Sequence, residues 1–492
     1  MTVSDQQSGH QFDHQSDLSF DPIAYLNHPR WQEVKPGLER IRELMEALGN
    51  PQDTLSFVHV AGTNGKGSTC AMVSAITQAA GYKTGLFTSP YIVKFEERIQ
   101  IDGEPIPYDE LADITARVKA VADTMPEHPT EFELMTAVAF CYFAQAQCDL
   151  VVLEVGLGGR LDSTNVIAAP EVSVITPIGL DHTAVLGDSL TAIAREKAGI
   201  IKPGSRAVSA LQAPLVSSAL AFTCTCYYVP LVTVDPTTIQ GSNSDFSYTT
   251  SNGVVYEHLH LSLSGAYQRE NAALAIEVAC ALRENGWNIS DEAIVCGLAD
   301  ACWIGRFQVI ELDLERPVTV VVDGAHNPDG ITALIAALRE YRGEQHSGEY
   351  VKPVLVVGVL ADKDFSTMIA TLAPEVRAVY AATPSNPRAL DAREVVAAFE
   401  RALEQTPELM SGNVSDSTCK LAVDQSLEQM PLHTEHIRDT VPLTACDSIS
   451  DALSRAIAFA QQTTPSSKKP LVLCCGSLYL VADYLSALDA LI

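Results

Sequence analysis

A run of small and charged residues, Gly62-Thr63-Asn64-Gly65-Lys66-Gly67-Ser68, stands between an apolar stretch, FVHVAG (57–62), and a helical pattern, STCAMVSAITQAAG (68–81). Glycines let a backbone curl so that several N–H groups point at phosphate oxygens. The start of a helix adds partial positive charge, and Lys66 would neutralise the outer phosphates. The spacing is not that of the common phosphate loop. That pattern needs Gly at position 60, where Val60 stands, and Ser or Thr directly after the lysine, where Gly67 stands. The strand–loop–helix setting still points to nucleotide binding.

More groups with chemical potential follow. Glu154 ends the apolar run LVVLEVG, where a buried charge is costly unless something pairs with it. It reads as a Mg²⁺ carboxylate facing phosphates, since Mg²⁺ takes few protein carboxylates beside phosphate oxygens and water; a structural ion pair is the plain alternative. Gly158-Gly159-Arg160-Leu161-Asp162 gives a tight loop with a cation beside it. Asp181-His182 follows the run VSVITPIGL, at a position where a histidine can serve the same site. Glu196-Lys197-Ala198-Gly199 by itself is a helix end with a solvated lysine.

These residues need elements to hold them. Near-continuous apolar strands at 57–62, 150–156 and 172–179 alternate with helical patterns at 36–48 and 68–81. That alternation means a mostly parallel sheet covered on both faces, an α/β fold. Residues 207–260 are rich in Ser, Thr and Val with turn signals and read as a small antiparallel insertion; helical pattern returns at 268–285. A second strand set, PVTVVVDGAHN (317–327), PVLVVGVLADKD (353–364), AVYAATP (378–384) and PLVLCCGSLYLVADYL (470–485), predicts a smaller Rossmann-like domain. Its strands end on Gly, Asp or Asn, where open α/β sheets bind ligands. The expected organisation is a flexible arm at 1–30, a P-loop-type domain at 31–304, a linker at 305–317 and a second domain at 318–492, with an acidic, loop-like insertion at 404–447.

Composition bounds the function. With 32 Lys and Arg against 61 Asp and Glu in 492 residues, the net charge is −29, which excludes a polyanion-binding surface and hence nucleic acid. No run of about 20 apolar residues is present, so no membrane span is expected. The first 30 residues lack an apolar core of the signal-peptide kind, and the 12 cysteines fit neither a disulfide framework nor zinc spacing. A cytoplasmic protein is the expectation. The tracts 1–29, 207–260 and 404–447 carry −4, −3 and −6, nearly half of the excess.

Taken in order, HVAGTNGKGS (59–68), TSP (88–90), EVGLGGRLDSTN (154–165), LDH (180–182), EKAGIIKPG (196–204), GRFQ (305–308), DGAHNP (323–328) and GSLYL (476–480) resemble the folylpolyglutamate synthase/dihydrofolate synthase family of the Mur ligase superfamily. The likeness spans roughly residues 30–485. It implies an ATP-dependent amide ligase with its active site in the cleft between a P-loop domain and a Rossmann-like domain. By resemblance, Asn64, Gly65, Lys66, Gly67 and Ser68 form the phosphate loop, and Asn271, Arg306 and Asp323 also contact ATP. Ser89, Glu154 and His182 are Mg²⁺ ligands, two ions being expected, and Lys197 is carried as a carbamate. Thr130, Glu131, Leu161, Asp162 and Ser163 lie near the pterin, while His326 and Ser477 face the incoming amino acid. Lys66, Glu154, His182, Lys197 and His326 make up the expected catalytic set.

The resemblance implies that ATP phosphorylates the carboxylate of dihydropteroate or a reduced folate, and that the amine of L-glutamate displaces phosphate. The partners expected are these small molecules, with a monomeric protein. One alternative is a Mur-type ligase of UDP-muramyl peptides, disfavoured by GKGS and by the lack of a UDP-binding domain before residue 55. The other is a P-loop nucleotide switch, which would not need the DGAHNP element.

Overall fold

The computed structural model describes residues 20–28, 35–345, 350–405 and 441–491. Its frame is two sheets. The first takes β1 (Ser56–Ala61), β2 (Thr84–Phe87), β3 (Ile99–Ile101), β4 (Glu104–Pro105), β5 (Leu150–Glu154), β6 (Val172–Ile175), β7 (Arg206–Ser209) and β8 (Leu231–Thr233). Their order is β4-β3-β2-β5-β1-β6-β7-β8, parallel from β2 onward. The hairpin-like edge of β2, β3 and β4 is antiparallel.

Alternate residues of the central strands feed opposite cores, as the two-residue repeat of a strand requires. Val58, Val60 and Val152 enter one core with the helices Lys66–Ala79, Tyr267–Glu284 and Asp291–Asp300. Phe57, Val151 and Leu153 enter another with the helices Glu39–Ala47, Tyr108–Ala122 and Glu131–Gln145. A small antiparallel sheet, β9 (Ile239–Ser242), β10 (Asp245–Thr249) and β11 (Val255–Leu259), lies beside this body.

The second sheet takes β12 (Gln308–Leu312), β13 (Val318–Val322), β14 (Val354–Val357), β15 (Ala378–Ala382), β16 (Leu443–Cys446) and β17 (Leu471–Cys475), in the order β12-β13-β17-β14-β15-β16. Only the β12–β13 pair is antiparallel. Here too the faces divide: Val321, Leu355 and Leu473 pack to one side, Val320, Val356 and Val472 to the other.

Several segments differ from the sequence expectation. Residues 207–260 are antiparallel only from β9 on; before that, β7, the helix Pro214–Tyr227 and β8 continue the parallel sheet. Residues 305–317 hold β12, an edge strand of the second sheet rather than free linker, because Gln308–Leu312 finds a full antiparallel partner in β13. Within the arm 1–30, the helix Pro22–Leu26 is capped by Asp21 and buries Leu26 in the first half's core. The stretch 470–485 is strand only to Cys475 and helix from Leu480 to Asp489. Of the insertion 404–447, residues 443–446 form β16, while 406–440 lie outside the described residues, as do 1–19. None of the described cysteines is in a disulfide, and no described helix is long and apolar enough to cross a membrane.

Candidate active site

The phosphate loop is built by strand-to-helix geometry. β1 ends at Ala61 and the helix Lys66–Ala79 begins after Gly65, which sits in the left-handed region at φ +85°. A Cβ at position 65 would stand 2.6 Å from Asn271 Oδ1, and one at Gly67 2.7 Å from Trp303 Nε1. Only glycine therefore lets the loop pass so close to the helix Tyr267–Glu284 and to Trp303. The Thr63 and Asn64 amides donate to the Pro177 carbonyl at 2.9 and 3.3 Å, tying the loop to the end of β6. The first amides of the helix have no partner within it, so they and the helix dipole favour an anion.

Three charged groups of the first half converge behind the loop. Lys66 Nζ donates to the Thr63 carbonyl at 3.2 Å and lies 3.9 Å from Glu154 Oε1. Glu154, at the end of β5, is buried, and its Oε2 accepts the Ser89 amide at 3.2 Å. Burial pushes its carboxyl up, against the pull of Lys66, that amide and Arg306. Lys197 is buried in the last turn of the helix Leu190–Ala198 and donates to the Gly62 carbonyl at 2.6 Å. Burial, then the charge of Lys66, push its amine down to about 7. His182 follows β6 with φ +50°, and its amide donates to Asp181 Oδ1 at 2.9 Å.

The second half adds its own strand ends. Asp323, just after β13, accepts Tyr267 Oη at 2.8 Å, the Phe307 amide at 2.8 Å and the Ala325 amide at 2.7 Å. Burial raises this carboxyl, opposed by Arg306. His326 Nδ1 lies 2.9 Å from the Gly324 carbonyl; desolvation in the cavity and nearby Lys363 push its imidazole down to about 4. Asn64 and Asn327 exchange two side-chain hydrogen bonds at 3.3 and 3.0 Å, linking the phosphate loop to the N-cap of the helix Pro328–Glu340. Arg269 of the first half makes a two-pronged contact to Glu340, at 2.6 and 3.2 Å.

A cavity of about 580 Å³ unites these parts. Its lining includes Asn64 through Ser68, Ser89, Glu154, His182, Lys197, Asn271, Arg306, Asp323 and His326, so thirteen of the residues singled out from the sequence share one space. Pro236, together with Ile239 and Gly241 of β9, also lines it. Thr130, Glu131, Leu161, Asp162, Ser163 and Ser477 are not in this lining.

Most of those six are held by their own neighbours. Thr130 and Glu133 cap the helix Glu131–Gln145 reciprocally. Half-buried Glu131 has its carboxyl raised by burial, with Arg98 opposing. Asp162 accepts the Leu157 amide at 2.8 Å, and its other oxygen takes the Thr164 amide and hydroxyl at 3.0 and 2.5 Å. Ser163 Oγ meets Thr136 Oγ1 at 2.9 Å. Leu161 is half-buried in the same loop, and buried Ser477 accepts the Tyr479 amide at 3.3 Å. Sequence reasoning missed Tyr267, Asn327 and Lys363. Asn327 lies inside the motif DGAHNP and was within reach; Tyr267 and Lys363 had no local signal.

Comparison with known proteins agrees with this geometry. Residues 60–279 match the Mur ligase middle domain and residues 305–478 the Mur ligase glutamate ligase domain. Over 379 residues the chain is 39% identical to the dihydrofolate synthase/folylpolyglutamate synthase of Bacillus subtilis (strain 168), a match spanning 75% of this chain and 85% of that protein. The Mycobacterium tuberculosis folylpolyglutamate synthase complexed with ADP and AMPPCP superposes with a TM-score of 0.78 at 29% identity, covering 95% of this chain and 99% of that one. Escherichia coli FolC in complex with DHPP and ADP superposes at 0.75, also at 29% identity, over 95% and 97% of the two chains. With both domains matched in order and such a relative aligned over most of its length, the chain belongs to the folylpolyglutamate synthase/dihydrofolate synthase family of Mur ligases.

Proposed function

We propose that the protein ligates L-glutamate to dihydropteroate, to reduced folates or to both, using ATP to make an acyl phosphate. One observation carries this reading: a single cavity holds a phosphate loop and Glu154 from one sheet and Asp323 and His326 from the other. ADP, AMPPCP and DHPP in the related structures support ATP and a pterin-bearing acid as ligands here.

The residue roles follow from chemistry. A carboxylate is a poor electrophile and must first accept the γ-phosphoryl group. Lys66 and the amides at the start of its helix offset the charge spread over that group. Asn64, Asn271, Arg306 and Asp323 hold the nucleotide between the halves. His326, which lines the cavity from the second half, is the residue proposed to face and orient the incoming glutamate. Thr130, Glu131, Leu161, Asp162 and Ser163, at the β5 end of the first sheet, shape the rim for the pterin, and Ser477 faces the amino acid. Water would hydrolyse the acyl phosphate, so closure of the halves precedes chemistry. In this reading residues 31–304 bind ATP and residues 318–492 present the amino acid.

The donor set fits Mg²⁺. Among the described residues no group of three His, Cys, Asp or Glu side chains could hold a metal by itself. A hard ion that keeps phosphate oxygens and water as ligands needs no such group. Glu154, buried at the end of β5 and 3.9 Å from Lys66, is the carboxylate proposed to face the cation. Ser89, Glu154 and His182 would hold the ions, which when bound neutralise phosphate oxygens. A carbamate on Lys197, formed when its neutral amine adds to CO₂ and releases a proton, would turn that cation into an oxygen ligand. A monomer in the cytoplasm completes the proposal.

The test is phosphate release from ATP with dihydropteroate and glutamate, repeated with tetrahydrofolate as acceptor. Release that requires both acceptor and glutamate supports the ligase; release indifferent to both overturns it. In the same assay Lys66→Ala is expected to lose activity by about 100-fold or more.

A further inference from the structure

The reaction derived above leaves one buried ion pair without a role. Lys363, on the loop after β14 of the second sheet, donates from Nζ to Asp181 Oδ1 at 2.7 Å. Both side chains are nearly buried, at 10% and 13% exposed. Asp181 belongs to the loop after β6 of the first sheet, so the pair crosses between the halves. The same Oδ1 accepts the His182 amide, and Oδ2 lies 3.9 Å from His326 Nε2, again a group of the second half. His182 itself holds φ +50° and ψ 37°, a left-handed conformation that non-glycine residues adopt at a cost. On one side the Val185 and Leu186 amides hold its carbonyl at 2.9 and 3.0 Å; on the other the Asp181 carboxylate holds its amide and lies 3.8 Å from its ring Nε2.

We propose that Lys363 is a positioning residue: by fixing Asp181 across the cleft, it makes the presentation of His182 depend on closure of the two halves. A buried carboxylate that loses its cation is strongly disfavoured where it stands. When the halves part, Lys363 leaves with the second sheet and Asp181 turns toward water. The His182 amide then loses its acceptor and the left-handed turn relaxes. The His182 side chain is therefore in place only in the closed molecule, where water is kept from the acyl phosphate. This inference rests on the ligase reading for its purpose, though not for its geometry.

Two measurements test it in the full-length protein. Hydrogen exchange reads the clasp without reference to activity. In Lys363→Met the amides of residues 181–186 are expected to exchange at least about 10-fold faster, while those of β1 keep their wild-type protection. Unchanged exchange at 181–186 overturns the proposal, whether or not the wild-type protein ligates glutamate. Kinetics read the consequence. In Lys363→Met, kcat should fall about 10- to 100-fold, the range typical for losing a group that orients a ligand. KM for ATP should stay within about threefold, the pattern of an interaction not used in binding. Lys363→Arg should recover most of kcat. The double variant Lys363→Met/Asp181→Asn should be no slower than the slower single variant, because one acts through the other. Additive losses, or a rise in KM for glutamate alone, would mean that Lys363 touches substrate directly, and would sink the positioning role.

Discussion

His59 shows how a residue in the middle of a motif can serve the fold instead of the chemistry. It opens the stretch HVAGTNGKGS, yet lies fully buried in β1 with Nε2 2.9 Å from Thr164 Oγ1. Burial, then Lys202, push its imidazole down to about 3. The folded value lies below the unfolded one, so the stability tied to neutral His59 is complete above about pH 6.5 and is lost as pH falls toward 3. Between pH 7 and 5.5 this one residue should take away about 1 kcal/mol of unfolding free energy. Urea melts at the two pH values should show a smaller acid loss in His59→Gln than in the wild type; an equal loss in both refutes the assignment. Single residues were legible where a local pattern forced their surroundings, as for Lys66 after its glycines. Lys363 was illegible because its partner is 182 positions away in the chain. Asp162 was read toward substrate; its carboxylate accepts backbone amides and the Thr164 hydroxyl of its own loop, so the part proposed for it is to set that loop's shape.

At the scale of elements, legibility followed hydrophobic period and end signals. The apolar runs at 57–62, 150–156 and 172–179 became β1, β5 and β6, and the pattern at 68–81 became the helix Lys66–Ala79. The helix Pro214–Tyr227 went unseen because its sequence, PLVSSALAFTCTCY, is rich in residues of modest helix preference and leaves Leu215 and Phe222 about 70% exposed. Pairing across a sheet is non-local, which is why β12 passed for a linker. The phosphate loop makes an element-scale prediction. Gly65→Ala puts a side chain into a left-handed position and pushes on the Asn271 carboxamide. The strain is about 1–2 kcal/mol, so KM for ATP should rise about tenfold or more, with a lower melting temperature. An ATP titration that matches wild type would mean the loop has slack that the structure does not show.

For the whole molecule, net charge is a poor guide to the charge of the substrate. A chain of −29 is expected to repel nucleic acid, yet the ligands proposed here are anions. Side chains alone do not resolve this: Lys66, Lys197, Arg269 and Arg306 line the cavity beside Glu154, Asp181, Glu270, Asp323 and Asp329. The loop amides and a bound cation must therefore supply the remaining positive field, while the tracts at 1–29, 207–260 and 404–447 carry much of the acidity. The segment 406–440 joins the body between the helix Ala392–Glu404 and β16, the outer strand of the second sheet, and neither of these lines the cavity. Replacing 406–440 by a short Gly/Ser linker should therefore keep kcat within about twofold, since loop length is cheap where ends stay near. A loss beyond tenfold would tie that tract to catalysis.

The contacts described between the halves have a consequence for the catalytic cycle. Lys363 with Asp181, Arg269 with Glu340, Asn64 with Asn327 and Tyr267 with Asp323 all join groups that water can serve nearly as well. Ile92 and Tyr267 add apolar contact with the second half's cores, but the closure proposed above needs a seam that can be unmade and remade, and these polar pairs suit it. The molecule works less like a glued shell than like a purse with a drawstring: tight enough to keep an unstable intermediate dry, loose enough to let a longer product out.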